Sequence, residues 1–126
     1  MPKQKKILIV DDSTYQRSKA KNFLQEKGFR IFEAEDGIEG VYLYRKVQPD
    51  LVLMDINMPV MEGPEALRYI KKIDPNAVVI MFSTLDDEKT IMGAIKAGAK
   101  DYIVKPLKED LMIKTINKFI NNTAGK

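Results

Sequence analysis

The stretch KKILIVDD (residues 5–12) runs four consecutive apolar residues, Ile7 to Val10, straight into two adjacent carboxylates, Asp11 and Asp12. A run that is apolar at every position, rather than at alternate ones, is the pattern of a strand covered on both faces of a parallel sheet. Four more short runs follow it, RIFEA (30–34), LVLM (51–54), AVVIMF (77–82) and YIV (102–104). RIFEA carries Arg30 and Glu33 and suits an edge strand.

Amphipathic stretches separate these runs. The helical spacing predicts buried faces of Ala20, Phe23 and Leu24 before Gly28, and of Ile38, Val41 and Tyr42 before Pro49. It predicts the same for Leu67, Ile70 and Ile73 before Asp74-Pro75, and for Ile91, Ala94 and Ile95 before Gly98. Met112, Ile116, Phe119 and Ile120 form the last face. The order is β then α, five times over, with no linker, repeat or low-complexity segment. Such alternation predicts a single-domain, doubly wound α/β sandwich with right-handed crossovers and helices on both faces. Five units are too few for an eight-fold barrel.

Composition narrows the chemistry. The chain has 126 residues, 44% apolar and 31% charged, as in an ordinary globular domain with a real core. No apolar run approaches the ~20 residues of a membrane-spanning helix. The start, MPKQKKILIV, has only four apolar residues after its lysines, far short of a signal peptide. A soluble, cytoplasmic protein without membrane insertion is expected. The charge of 21 − 18 = +3 comes from scattered lysines, so nucleic-acid binding is not expected. There is no cysteine and no histidine. Disulfides, thiolate chemistry and histidine-based triads are excluded, and any metal must take oxygen ligands, as Mg²⁺, Mn²⁺ or Ca²⁺ do.

In an open parallel sheet, sites form beyond the carboxyl ends of the strands. The first strand ends in Asp11-Asp12, the third in Asp55, the fourth in Ser83-Thr84 and the fifth in Lys105-Pro106. If these strands are neighbours, three carboxylates, two hydroxyls and an ammonium converge on one rim. Two carboxylates ~4 Å apart repel by roughly 1 kcal/mol in water and about 4 at an effective dielectric of 20. Either one pKa rises or a divalent cation occupies the site. A metal beside a carboxylate, a hydroxyl and a lysine suggests phosphoryl transfer. Asp55 would be the nucleophile, Lys105 would neutralise phosphoryl oxygens, and Ser83 would donate a hydrogen bond to one of them.

The segments ILIVDDS, PDLVLMDINMPVMEG, FST and DYIVKP together resemble the response-regulator receiver domain, in its stand-alone, chemotaxis-regulator (CheY-like) form. The resemblance implies a five-stranded parallel sheet of flavodoxin-like order 2-1-3-4-5. It implies Asp55 as phosphoryl acceptor, with Asp12 and Asp55 ligating Mg²⁺ directly (Mn²⁺ being an alternative), Asp11 acting through a water, and the Asn57 carbonyl completing the protein ligands. Lys105 would contact the phosphoryl group, Lys105-Pro106 would be a cis peptide, and Pro59 and Gly63 would shape the loop after the third strand. Ser83 and Tyr102 would form the switch pair. The partner face would span about residues 87–121. Leu85 cannot orient an attacking water, which implies slow self-dephosphorylation.

The phosphoryl group would come from a histidine kinase or a histidine phosphotransfer protein, since this chain has no histidine to donate it. A single receiver domain over 1–126 (core about 5–122), monomeric and without an output domain, is expected. Control of motility is the favoured role, with a phosphorelay intermediate as the alternative. A Mg²⁺-dependent aspartyl phosphatase is disfavoured, because its Asp-x-Asp pair would need an aspartate where Asn57 stands. A flavodoxin-like nucleotide binder is disfavoured by the acidic first loop, DDSTYQ (11–16).

Overall fold

The computed structural model describes residues 3–121. The outermost residues of the expected 1–126 domain, and its expected core boundary at 122, lie outside this range. The elements are β1 (Lys6–Val10), α1 (Thr14–Glu26), β2 (Arg30–Ala34), α2 (Gly37–Val47), β3 (Leu51–Met54), α3 (Gly63–Ile73), β4 (Val79–Ser83), α4 (Glu88–Lys96), β5 (Asp101–Val104) and α5 (Glu109–Asn117). All strand pairs are parallel, in the order β2-β1-β3-β4-β5.

Strand alternation divides the core into two layers. Leu8, Val10, Val52 and Met54 point to one face, where Leu67 and Ile70 of α3 and Ala94 of α4 pack. Ile7, Ile9, Leu51 and Leu53 point to the other, under Phe23 and Leu24 of α1 and Met112 and Ile116 of α5. The central strands β3 and β4 are buried at every residue, while β2, with its two charged residues, lies at the sheet edge.

The structure corrects three expectations. The fourth strand runs from Val79 to Ser83 rather than over 77–82. Ala77 closes a turn instead, its N–H donating to the Asp74 carbonyl at 2.9 Å. The second helix presents Gly37, Gly40 and Tyr44 to the core, leaving Ile38 and Tyr42 51% and 59% exposed and Val41 only half-buried. A side chain at Gly40 would lie 3.0 Å from Val10, so the glycine side of the helix is the one that fits against β1. Tyr44 can enter the core edge because its hydroxyl donates to Asp74 at 2.8 Å. Glycine contributes nothing to an apolar pattern, and this is why the pattern pointed to the wrong side. Ile73 and Ile95, also placed on buried faces by their spacing, are 42% and 45% exposed.

No helix among the described residues is long and apolar enough to cross a membrane.

Candidate functional site

Parallel registry decides what meets at the rim. Val10 pairs with Met54, so Asp11 and Asp55 leave β1 and β3 side by side. The Asp55 N–H donates to the Val10 carbonyl at 2.9 Å, and the Asp11 N–H to the Ala34 carbonyl at 3.0 Å. On the far side of β4, Val104 pairs with Ser83, and the Lys105 N–H donates to the Ser83 carbonyl at 2.8 Å. The Lys105 side chain then crosses the end of β4, its Nζ 5.4 Å from the Phe82 ring centre. It donates to Asp11 Oδ2 at 2.6 Å and to Asp55 Oδ2 at 3.1 Å. The Lys105–Pro106 peptide bond is cis.

Asp11, Asp12 and Asp55 each place a carboxylate oxygen within 4.8 Å of the others. Asp11 is buried, Asp55 half-buried and Asp12 exposed, so the cluster has a dry floor and an open mouth. Its formal charge with Lys105 is −3 + 1 = −2. An all-oxygen, anionic, open donor set of this kind fits a hard divalent cation. Burial raises the pKa of Asp55, against the opposing effects of the Lys105 ammonium and of the Ile56 N–H, which donates to Oδ1 at 2.7 Å.

The loop after β3 is drawn tightly around Asp55. The Gly63 N–H donates to the Ile56 carbonyl at 2.8 Å, and a Cβ at Gly63 would overlap the Asp55 carbonyl. Glycine is therefore required there by close approach rather than by an unusual φ. Pro59 accepts from the Met61 N–H at 2.7 Å across Val60, whose φ of 69° lies in the left-handed region. Asn57 is exposed in the same loop.

Ser83 and Tyr102 are brought together through a residue between them. The Leu85 N–H donates to Ser83 Oγ at 3.2 Å, while the Leu85 carbonyl accepts from the Tyr102 hydroxyl at 2.7 Å. Tyr102 is half-buried against the core, and burial raises the pKa of its hydroxyl. Beyond this pair, the surface over 87–121 carries three exposed apolar side chains, Met92, Ile95 and Leu111.

Sequence reasoning missed Arg17. It is 8% exposed and donates to the Asp11 carbonyl at 2.6 Å through Nη1 and to Glu33 at 3.3 Å through Nε. Glu33 also accepts from Lys21 at 3.1 Å, so α1 and β2 share the cluster that fixes the Asp11 backbone. The signal was available: Arg17 stands three residues before Ala20 and seven before Leu24, on the buried side of its helix. The coupling role of Leu85 had no comparable signal, because it is exercised by backbone atoms.

Comparison with known proteins agrees with this geometry. The family profile described as "Response regulator receiver domain" matches residues 7–117. The chain is 46% identical over 117 residues to the chemotaxis protein CheY of Bacillus subtilis, covering 92% of this chain and 98% of that one. It is 43% identical over 115 residues to CheY of Thermotoga maritima, covering 90% and 96%. Among solved structures, the CheX–CheY–BeF3–Mg²⁺ complex from Borrelia burgdorferi aligns with a TM-score of 0.88 at 36% identity, over 93% of this chain and 90% of that one. A family match that takes in all five strands and all five helices, together with the rim they position, is conclusive: the chain belongs to the response regulator receiver domain family, a signalling module homologous to the CheY chemotaxis regulators.

Proposed function

We propose that this protein is a phosphorylation-dependent switch that takes a phosphoryl group onto Asp55 from a phosphohistidine of a kinase or phosphotransfer protein and serves chemotaxis or motility control in the cytoplasm. The observation that carries the proposal is the Lys105 ammonium seated between Asp11 and Asp55 on a rim of three carboxylates. Asp11, Asp12, Asp55 and the Asn57 carbonyl would hold Mg²⁺, which when bound supplies positive charge against the phosphoryl oxygens.

The residues have separable tasks. An Asp55 carboxylate oxygen forms the new bond to phosphorus while the phosphorus–nitrogen bond of the donor breaks and its imidazole leaves. Lys105, already within 3.1 Å of Asp55, stays beside the new acyl phosphate and offsets its added negative charge. Ser83 is bound to Leu85 here, and turning its hydroxyl toward the phosphoryl group gives up that contact. The Leu85 carbonyl also holds Tyr102, so the change reaches β5 and the surface over 87–121. Phosphorylation would thus bias an existing two-state equilibrium toward the form that binds the downstream protein. Leu85 offers no polar side-chain atom to orient an attacking water, and loss of phosphate is slow.

The test is intact mass after incubation with Mg²⁺ and acetyl phosphate, with Asp55→Asn and a Mg²⁺-free sample as controls. One added phosphoryl group, absent from both controls, is the expected result. Addition that persists in Asp55→Asn would overturn the assignment of the acceptor.

A further inference from the structure

We propose that the exposed face of α2 and α3 is an interface between two copies of this chain, packed with these helices antiparallel. The face is the one left apolar when Gly37 and Gly40 turn α2 inward. Ile38, Val41, Tyr42, Met61 and Tyr69 line a groove of about 400 Å³, with Tyr42 59% and Tyr69 46% exposed. It lies away from the α4–β5–α5 surface, on helices that pack against each other. Helices that follow strands of a parallel sheet in the same sense, as α2 and α3 do, also run parallel to one another.

The charges along the two helices identify the occupant. On α2, Glu39 and Arg45 stand three residues to either side of Tyr42. On α3, Glu65 stands four residues before Tyr69 and Lys72 three after it. Each helix therefore reads acid, tyrosine, base, with the tyrosine near its midpoint and the charges about 9–10 Å apart along the axis. Among the described residues, Arg45, Glu65 and Lys72 enter no ion pair.

A pattern that reverses sign about its centre complements itself when turned end for end. A two-fold axis in the plane of the face, perpendicular to the helices, sets α2 on α2 and α3 on α3 of the partner copy. Tyr42 and Tyr69 then meet their own counterparts near the axis, where aromatic pairs form. Glu39 faces Arg45, and Glu65 faces Lys72, twice each. The parallel arrangement sets like charges together and is disfavoured. An acidic or basic partner segment would match only one end of the face.

Each helix has 11 residues, or about 16 Å of length, too little for the ~800 Å² per partner of a stable complex. The dimer is accordingly weak, with Kd on the order of 100 μM. Sedimentation equilibrium of the full chain from ~10 μM to ~1 mM tests it against the chain mass of 14.4 kDa. The mass should rise toward twice that value. Glu65→Lys and Lys72→Glu, both on exposed positions, should each raise Kd about tenfold or more. Mixed in equal amounts, the two variants should associate again, because an α3 carrying bases at both ends then faces an α3 carrying acids at both ends. A wild-type chain that stays monomeric near ~1 mM overturns the proposal. So do single variants that dimerise as the wild type does, or a mixture that fails to recover association.

Discussion

Replacing Lys105 with methionine separates the structural from the chemical work of the site. The side chain is 5% exposed and contacts Asp11 at 2.6 Å and Asp55 at 3.1 Å. At an effective dielectric of 20 these contacts are worth about 6 and about 5 kcal/mol before desolvation. Burying the ammonium and the carboxylates takes back most of that sum, and breaking a buried pair from one side costs roughly 3–5 kcal/mol net. Asp55 is only half-buried, which screens the second contact and places the loss at the lower end, ~3 kcal/mol. Methionine keeps an unbranched apolar side chain, so little of the change comes from packing, and the cation 5.4 Å from the Phe82 ring centre is lost with the ammonium. For a domain of this size the drop in Tm is about 10 °C.

The same substitution takes the cluster from −2 to −3, so Mg²⁺ should bind the variant more tightly than the wild type and raise its Tm by more. Thermal denaturation with and without ~10 mM Mg²⁺ measures both effects through the linkage between binding and stability. A metal-free variant within about 2 °C of the wild type would show that the two contacts are not energetically significant. Equal stabilisation of both proteins by Mg²⁺ would refute the charge argument.

Three further outcomes are expected. Asp55→Asn should be more stable than the wild type at neutral pH without metal, since burial raises the Asp55 pKa above its ordinary value. A raised folded-state pKa means that the contribution of Asp55 is fully present below the unfolded value and is lost as pH rises through the folded one, so the gap should close on acidification; denaturant titration at several pH values measures it. Gly63→Ala should cost roughly 2–4 kcal/mol and weaken Mg²⁺ binding seen by calorimetry, because the new methyl overlaps the Asp55 carbonyl and pushes the loop off the carboxylates. Val60→Gly should stabilise by up to about 1 kcal/mol in chemical denaturation, the relief of a β-branched residue at φ 69° outweighing the added chain entropy.

The fold was legible because period and composition agreed along most of the chain. The unbroken apolar runs in β1 and β3 and the charged edge strand β2 each carried their own placement. The carboxylate rim was legible for the same reason, since Asp11 and Asp55 each follow directly on the last residue of a strand and Asp12 stands next to Asp11. What escaped was whatever depends on an absent or a backbone group. Gly37 and Gly40 turned α2 through shape alone, and Leu85 links Ser83 to Tyr102 through its N–H and carbonyl. Arg17 escaped because a cation on a buried helix face gains its meaning only from the Asp11 carbonyl it reaches.

The contact between Lys105 and Asp11 spans 94 residues of sequence. It joins the end of the first strand to the residue that follows the last one, across strands that the chain builds in between. During synthesis the first three strands emerge with their carboxylates unbalanced, and only docking of the fifth brings the ammonium to them. Chains that have not completed their sheet therefore carry the carboxylate rim without the ammonium that balances it, so the rim's charge reports whether the last strand has docked.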